Sequence, residues 1–349
     1  MKSNVLLFDA TLRDGSHAKK HQFDKNDIEN YCQAMDASGM YAIIVGHGNG
    51  LGASSLQIGM SKLSDIEMLK TARDNLEKTK LGVYMIPGFG TIDDNIKPAI
   101  EAGVDLFKIG CHCTEADTTR QHIEFIKKQN KEVYGVLMMC HMASPERILE
   151  EAQKMQSYGA NGVILMDSAG AFTIEMVKQR IGILYSGLNI RIGMHTHNNL
   201  GLAIANAYIA VQEGASIIDG TLRGFGGGAG NCQLEAFAAL MQKDGYDLNV
   251  NLYRMLDASE DIVKGFADKN DKGLESLSIV SGLAGIFSAF AVHVQKAAER
   301  FNVDPRDIYI ELGKRKAVAG QEDMIVEIAE KLSNPLQDSD ISYELSSLL

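Results

Sequence analysis

Residues 11–23 read TLRDGSHAKKHQF and bring one acid, one arginine and two histidines together directly after an apolar run. A carboxylate can bind a divalent cation, a guanidinium can stabilise an enolate or hold a substrate carboxylate, and an imidazole can accept a proton near neutral pH. Asp14 is therefore a candidate metal ligand, Arg13 a candidate anion-binding and catalytic group, and His17 a candidate general base. An ion pair that orients Asp14 is an alternative role for Arg13.

A second candidate motif is His195-Thr196-His197, which follows an apolar run. Residues i and i+2 of a strand point to the same face, so the two imidazoles would project together. Together with Asp14 they would form a set of two histidines and one carboxylate, which suits Mn²⁺, Mg²⁺, Co²⁺ or Zn²⁺. The alternative is a pair of histidines whose ring nitrogens are satisfied by the backbone.

These residues need a scaffold that gathers distant segments, and the chain offers eight strand-then-helix units before about residue 243. The predicted strands are 5–8, 41–45, 81–86, 106–110, 133–139, 162–166, 190–194 and 216–218. Helical patterns between them include 25–38, 65–78, 145–158 and 173–185. Apolar strands that alternate with helices predict a parallel sheet covered on both faces, and eight units indicate a (β/α)₈ TIM barrel. An open, doubly wound sheet is the alternative.

In such a barrel the active site lies at the carboxyl ends of the strands. Further polar residues fall there or close by: His21, His47, His112, His141, Asp167, Ser168 and Asp219. A glycine-rich turn at 224–231, GFGGGAGN, follows the last strand. It would either bind a substrate anion through its backbone N–H groups or simply form a tight bend beside the site.

Beyond residue 245 only helical patterns are evident, at 253–266, 282–301, 304–313 and 322–331. We predict a barrel domain over 1–245, a helical C-terminal domain over 246–332, and a loosely ordered tail over 333–349.

The chain of 349 residues carries a net charge of −11, which disfavours nucleic acid and anionic membranes as partners. Five cysteines without a C-x-x-C pair indicate reduced thiols and a cytoplasmic protein rather than a disulfide framework. The two close cysteines of Cys111-His112-Cys113 are interpreted as small thiols at a buried strand end, and part of a metal-binding site is the alternative. No run is long enough to span a membrane.

Several motifs together resemble the 4-hydroxy-2-oxovalerate aldolases, metal-dependent lyases that share the TLRDG signature. They are TLRDGSHA, HGNGLGASS, HCTEADTTRQHIE, LMMCHM, MHTHNNL, GAGN and GQEDMIVEIA, and they extend over nearly the whole chain. The resemblance implies a barrel with a helical communication domain that docks with an acylating aldehyde dehydrogenase, in a homo-oligomer or a hetero-oligomer.

The resemblance also implies roles for particular residues. Asp14, His195 and His197 would hold the metal, with Mn²⁺ favoured over Mg²⁺ or Co²⁺. Arg13 would stabilise the enolate of pyruvate, and His17 would take the proton from the 4-hydroxyl group. Ser168 matches a residue near the substrate carboxylate. Cleavage of the 2-oxo acid would give pyruvate and a short aldehyde.

The sequence departs from the family pattern around the site. Phe287 stands where the family has a tyrosine, and Tyr84 where it has a leucine in the same pocket. We hypothesise that the phenol has moved from position 287 to 84. Further departures remove two acids, one histidine and one proline, at Ile44, Asn49, Asn198 and Gln233. A less negative pocket would favour a carbonyl partner with an anionic group.

Two rival functions remain open at this point. One is a condensing enzyme that joins the same enolate to an acyl-CoA, although this group usually continues TLRDG with Glu-Gln rather than with Ser16-His17. The other is a non-catalytic subunit that binds a dehydrogenase. Such a subunit would have no physical reason to keep five potentially catalytic groups together, namely Arg13, Asp14, His17, His195 and His197.

Overall fold

The computed structural model describes residues 5–266, 274–287, 290–318 and 320–333. Its strands are β1 (Leu6–Asp9), β2 (Ala42–Ile44), β3 (Lys80–Met85), β4 (Leu106–His112), β5 (Glu132–Met138), β6 (Gly162–Asp167), β7 (Arg191–Thr196) and β8 (Ile217–Gly220). Each predicted strand is present, with ends that differ by a few residues.

The eight strands form a closed parallel barrel in the order β1 to β8. Closure is made by β1 and β8, where Leu6 is in register with Ile217 and Asp9 with Gly220. The predicted TIM barrel is therefore confirmed, and the open, doubly wound alternative is wrong.

Helices connect the strands and continue to the C-terminus. They are α1 (Gly15–Ala18), α2 (Lys25–Asp36), α3 (Asp65–Asp74), α4 (Lys97–Glu101), α5 (Arg120–Lys128), α6 (Pro145–Ser157), α7 (Ile174–Gly187), α8 (Ala203–Gln212), α9 (Leu234–Lys243), α10 (Leu252–Ala258), α11 (Lys264–Phe266), α12 (Ser276–Ala284), α13 (Ala291–Phe301), α14 (Pro305–Lys314) and α15 (Asp323–Ser333). Single π-helical turns lie at Ile92–Ile96 and Ser259–Val263.

Local chemistry explains where several helices begin. Asp24 and Ser64 each form a capping box with the acid three residues later, and Ser144 and Thr173 accept backbone N–H groups at the starts of α6 and α7. Such caps satisfy backbone donors that the helix itself leaves without partners.

Two apolar cores result from this arrangement of strands and helices. Side chains that point into the barrel form one, including Phe8, Ile44, Tyr84, Tyr134 and Ile164, while the larger core fills the space between the barrel and its helices. The interior core holds the strands rigidly, so that their carboxyl ends present polar groups in fixed positions.

The C-terminal helices divide between two cores. Met255, Ala258, Val263 and Phe266, from the helical stretch 252–266, pack in the core between barrel and helices. A separate core joins apolar residues between Ile286 and Ala329. The division of the chain at residue 245 stays a prediction, and 334–349 of the predicted tail lie outside the described residues.

The single helix predicted over 282–301 is wrong. Helix α12 ends at Ala284 because Gly285 adopts the left-handed conformation with φ 68°, and α13 begins only at Ala291. A glycine in that conformation is a common helix stop. Among the described residues, no helix is long and apolar enough to cross a membrane.

Candidate metal centre

Asp14 lies in the loop after β1, at the start of the short helix α1. One carboxylate oxygen, Oδ1, accepts a hydrogen bond of 2.8 Å from Arg13 Nη1, and the other, Oδ2, accepts one of 2.6 Å from Asn231 Nδ2. Burial would raise the pKa of Asp14, but the charge of Arg13 holds it well below its ordinary value. Asp14 is thus an ionised carboxylate fixed on both sides.

His195 and His197 project from the end of β7 to the same side, with ring centroids 5.0 Å apart. His197 Nδ1 donates to the backbone oxygen of Asp167 at 2.9 Å, and His195 Nδ1 donates to Asp219 Oδ2 at 3.0 Å. Since both Nδ1 atoms carry a proton, both Nε2 atoms keep a lone pair available to a metal.

The predicted ligand set is brought together. One ligand atom each from Asp14, His195 and His197 lies within 4.8 Å of the other two, and His197 Nε2 is 3.9 Å from Asp14 Oδ2. Buried His195 Nε2 has no hydrogen-bond partner among the described residues. Two imidazoles with lone pairs and one carboxylate fit a divalent cation, because such a cation would supply the missing partner.

The Cys111-His112-Cys113 segment does not form a comparable group. In the part of the chain that the structure describes, Asp14, His195 and His197 are the only cluster with the geometry to hold a metal. Both thiols are buried, and burial raises the pKa of Cys113 to about 11, so that it stays protonated. All five cysteines are unpaired.

Arg13 is held above the barrel with part of its guanidinium group free. Its Nη1 also donates to the backbone oxygen of Gly48 at 3.3 Å, and the group lies 4.9 Å from the ring centroid of Tyr84. Buried Nε and Nη2 have no partner among the described residues. Both predicted roles of Arg13 are therefore available, because it pairs with Asp14 and still offers two donors to an anion.

His17 lies in α1, one helical turn beyond Asp14, and its ring packs directly on Gly48. A Cβ atom added at Gly48 would collide with that ring. Burial lowers the pKa of His17, although the charge of Asp14 opposes the shift, so the ring is neutral at pH 7 and can accept a proton.

The other histidines near α1 are bound within the fold. His21 stacks on His47 at a centroid distance of 3.7 Å, and its Nδ1 lies 3.2 Å from Ser16 Oγ. His47 contacts the backbone oxygen of Gly59 and the backbone nitrogen of Asn49. A structural role accounts for both rings, and a catalytic role for His21 stays untested.

The glycine-rich turn permits close approach of the backbone to the site. A Cβ atom at Gly226 would collide with Asp14 and Asn231, and one at Gly227 would lie 3.5 Å from the Cβ of His17. Glycine is therefore needed at these positions because the backbone packs closely against Asp14 and His17. This favours the tight bend, rather than the anion-binding loop, as the role of the turn.

The predicted pocket residues lie at different places around this centre. The Tyr84 ring is buried under Arg13, with its hydroxyl 3.0 Å from Met138 Sδ. The Ser168 hydroxyl accepts the backbone N–H of Met139 at 3.0 Å. Phe287 is half-buried and follows Gly285 by two residues. The carbonyl oxygen of Gly285 accepts a hydrogen bond of 2.9 Å from His141 Nε2. A role of these three residues in substrate binding stays a prediction.

Sequence reasoning placed Asp219 at the end of a strand but missed Lys108 and the support that both give to the ligands. Lys108 and Asp219 form an ion pair in which both side chains are 0% exposed, and Asp219 in turn holds His195. The signals were present as a lysine inside the apolar strand LFKIG and an aspartate closing β8. Asn231, recognised only as part of a motif, orients Asp14.

Comparison with known proteins places this geometry in a family. The HMGL-like family profile matches residues 4–262, and that of the DmpG-like communication domain matches 273–334. The 4-hydroxy-2-oxovalerate aldolase of Pectobacterium atrosepticum is 51% identical over 339 residues, covering 97% of this chain and 98% of the relative. That of Spirochaeta aurantia is 48% identical over 330 residues, with 95% and 96% covered.

A solved structure shares the fold at low sequence identity. The carboxyl transferase domain of Rhizobium etli pyruvate carboxylase superimposes with a TM-score of 0.79 at 16% identity, covering 99% of this chain and 64% of that one. This likeness supports the fold alone. The close relatives and the two family profiles confirm the resemblance seen in the motifs, and the chain belongs to the 4-hydroxy-2-oxovalerate aldolase family.

Proposed function

We propose that the chain is a divalent-metal-dependent aldolase that cleaves a 4-hydroxy-2-oxo acid to pyruvate and a short aldehyde. The observation that carries this proposal is the convergence of Asp14, His195 and His197 beside the two unpartnered donors of Arg13. The names of the close relatives support the same reaction and favour 4-hydroxy-2-oxovalerate as the substrate.

Asp14, His195 and His197 would hold the cation, which supplies a Lewis acid that polarises the 2-oxo group. His17 accepts the proton of the 4-hydroxyl group at a ring nitrogen while the C3–C4 bond breaks. The electron pair of that bond becomes the enolate of pyruvate, and the new C4=O group leaves as the aldehyde. Arg13 stabilises the negative charge on the enolate oxygen, and protonation at C3 completes pyruvate.

The pocket around these groups would be completed by Ser168, Tyr84 and Phe287. Ser168 is fixed beside β5, where its hydroxyl could also face the substrate carboxylate. We propose that the Tyr84 hydroxyl turns from Met138 to the substrate, since a thioether is only a weak acceptor. If Tyr84→Phe leaves both the cleavage rate and the stereochemistry of the 4-hydroxy carbon unchanged, this role is wrong.

Mn²⁺ is the proposed metal, with Mg²⁺ or Co²⁺ as alternatives, because two imidazoles and a carboxylate suit each of them. The DmpG-like communication domain supports an acylating aldehyde dehydrogenase as the partner in a hetero-oligomer, with a homo-oligomer as the alternative. The five unpaired, buried cysteines support a cytoplasmic location.

The activity is tested by stripping metal from the full chain and measuring pyruvate release from 4-hydroxy-2-oxopentanoate, with and without added Mn²⁺. Longer and negatively charged analogues are measured alongside, with Asp14→Asn as the inactive control. Pyruvate that depends on Mn²⁺ supports the proposal. Thiol release from an acyl-CoA, without cleavage of any 4-hydroxy-2-oxo acid, would instead identify a condensing enzyme. Inactivity in both assays would favour a non-catalytic subunit.

A further inference from the structure

Lys108 is the lysine of β4 that lies wholly inside the barrel. Its ammonium group pairs with the carboxylate of Asp219 on β8, and neither side chain has any exposed surface. Strands β4 and β8 lie on opposite sides of the eight-stranded closed barrel, so this ion pair spans the interior. Burying two charges costs free energy that their attraction often does not fully offset, so filling the barrel is a poor reason for this pair.

Asp219 links the lysine to the metal centre. The same oxygen, Oδ2, that pairs with Lys108 accepts the Nδ1–H of His195 at 3.0 Å. That hydrogen bond puts the ring proton on Nδ1 and leaves the buried Nε2 free to face Asp14 and His197. Carboxylates that hold metal-binding histidines in this way fix both the orientation of the ring and its tautomer.

The lysine in turn restricts the carboxylate. Among the described residues, the Asp219 carboxylate makes hydrogen bonds with the Lys108 ammonium and with His195, and its Oδ1 has no partner. The Tyr84 ring lies beside the lysine, with its centroid 5.8 Å from Lys108 Nζ. A cation fixed in this position holds the carboxylate in a single orientation.

We propose that Lys108 is a positioning residue of the metal centre, which acts through Asp219 to hold His195 Nε2 toward the ion. The proposal rests on the metal-dependent function argued above. It distinguishes Lys108 from a purely structural lysine, because a structural role would affect the stability of the barrel and leave metal affinity unchanged.

The test is calorimetric titration of Mn²⁺ into the metal-stripped full chain and its variants Lys108→Met, Asp219→Asn and the double variant. Loss of a partner that supports a metal ligand weakens metal binding by about 10–100-fold, and we expect a loss of this order for Asp219→Asn. Lys108→Met should weaken binding by about tenfold on the same grounds. In the Asp219→Asn background, Lys108→Met should have no further effect, since the lysine acts through the aspartate.

Lys80→Met is the control, because Lys80 also pairs with an acid, Glu132, but this partly exposed pair lies at the opposite end of the barrel. It should leave the affinity for Mn²⁺ within twofold of the original value. Equal affinities for Lys108→Met and the original chain would overturn the proposal, even if the melting temperature falls. So would additive effects in the double variant.

Two outcomes remain to be separated. If Lys108→Met does not fold, Lys108→Gln takes its place, because it removes the charge but keeps a hydrogen-bond donor beside Asp219. A loss of Mn²⁺ affinity that disappears in the Asp219→Asn background supports the proposal, and an unchanged affinity overturns it. If the unsubstituted chain binds no Mn²⁺, the metal-dependent function fails together with the proposal. Binding that is insensitive to Lys108 overturns the proposal alone.

Discussion

Two charged clusters lie inside the same barrel, one at each end. The mouth cluster lies toward the carboxyl ends of the strands, and Lys108 joins it from within β4. Its members are Arg13, Asp14, Lys108, His195, His197 and Asp219. The base cluster, at the opposite end, comprises Tyr41, Lys80, Glu132 and Tyr134. Both combine cations, carboxylates and rings, yet they differ in how completely their polar atoms are paired.

In the base cluster the polar groups bind one another. Glu132 accepts hydrogen bonds from Tyr41 at 2.9 Å and from Tyr134 at 3.0 Å, and it pairs with Lys80. Lys80 in turn donates to the Tyr41 hydroxyl at 2.7 Å. Among the described residues, no buried side-chain nitrogen or oxygen of this cluster lacks a hydrogen-bond partner.

The mouth cluster is only partly paired. Among the described residues, Arg13 Nε and Nη2, His195 Nε2 and Asp219 Oδ1 are buried without a partner. Leaving buried polar groups unpaired is costly, so an arrangement that retains several of them at one place indicates a site completed by a ligand. Unpaired buried atoms, rather than the number of charges, therefore distinguish the mouth of this barrel from its base.

The largest effect is expected from Asp14→Asn, which removes the negative charge that completes the ligand set. We predict a fall in kcat/KM of about 10³-fold or more, because a catalytic metal supplies several kcal/mol of stabilisation to the transition state. The rate of pyruvate release measures this loss. Glu132→Gln in the base cluster is the control and should keep the original rate. Comparable losses in both variants would remove the functional distinction between the clusters.

A smaller effect is expected from Gly48→Ala, because the new methyl group would push against the His17 ring. Loss of a well-placed general base costs about 10²–10⁴-fold, and a displaced base should lose the lower part of that range. Gly265→Ala is the matched control, since a Cβ atom at Gly265 meets no neighbour within 4 Å. Unchanged kcat with weakened Mn²⁺ binding would mean that Gly48 supports the metal ligands and not His17.

The pH dependence should report the same base. Burial lowers the pKa of His17, so its neutral, proton-accepting form persists below the ordinary value of about 6.5. We expect kcat/KM, measured at saturating Mn²⁺, to fall as the pH drops through a midpoint below about 6.5. A midpoint above that value would exclude a buried, neutral His17 as the base. His17→Asn should abolish the acid limb and not merely shift it.

The smallest effect belongs to the base cluster. Glu132→Gln removes the charge that pairs with partly exposed Lys80, and exposed or partly exposed pairs contribute about 1 kcal/mol or less. We therefore predict a loss of roughly that size in the free energy of unfolding, measured by denaturant titration, with Mn²⁺ affinity unchanged. A change in Mn²⁺ affinity would show that the two ends are coupled.

The sequence allowed the barrel and the convergence of Asp14, His195 and His197 to be predicted, because both depend on short patterns. Alternating strands and helices predict closure once eight units are counted, and His195-Thr196-His197 places two rings on one face by strand geometry alone. Asp14 was assigned from its place after β1, next to the seam where the barrel closes.

The groups behind the ligands could not be predicted in the same way. The pairing of Lys108 with Asp219 joins positions 111 residues apart, and it depends on which interior side chains face each other across the barrel. The break between α12 and α13 was missed because apolar periodicity continues across Gly285, whereas the backbone conformation ends the helix.

We propose that Asp14, His195 and His197 of the mouth cluster bind one divalent ion. The most direct test is diffraction from crystals grown with Mn²⁺, with data collected at the manganese absorption edge. We predict one anomalous peak per chain, bonded to the carboxylate of Asp14 and to Nε2 of His195 and His197. A peak at any other place, or the absence of a peak from enzyme that requires Mn²⁺ for activity, would contradict the claim.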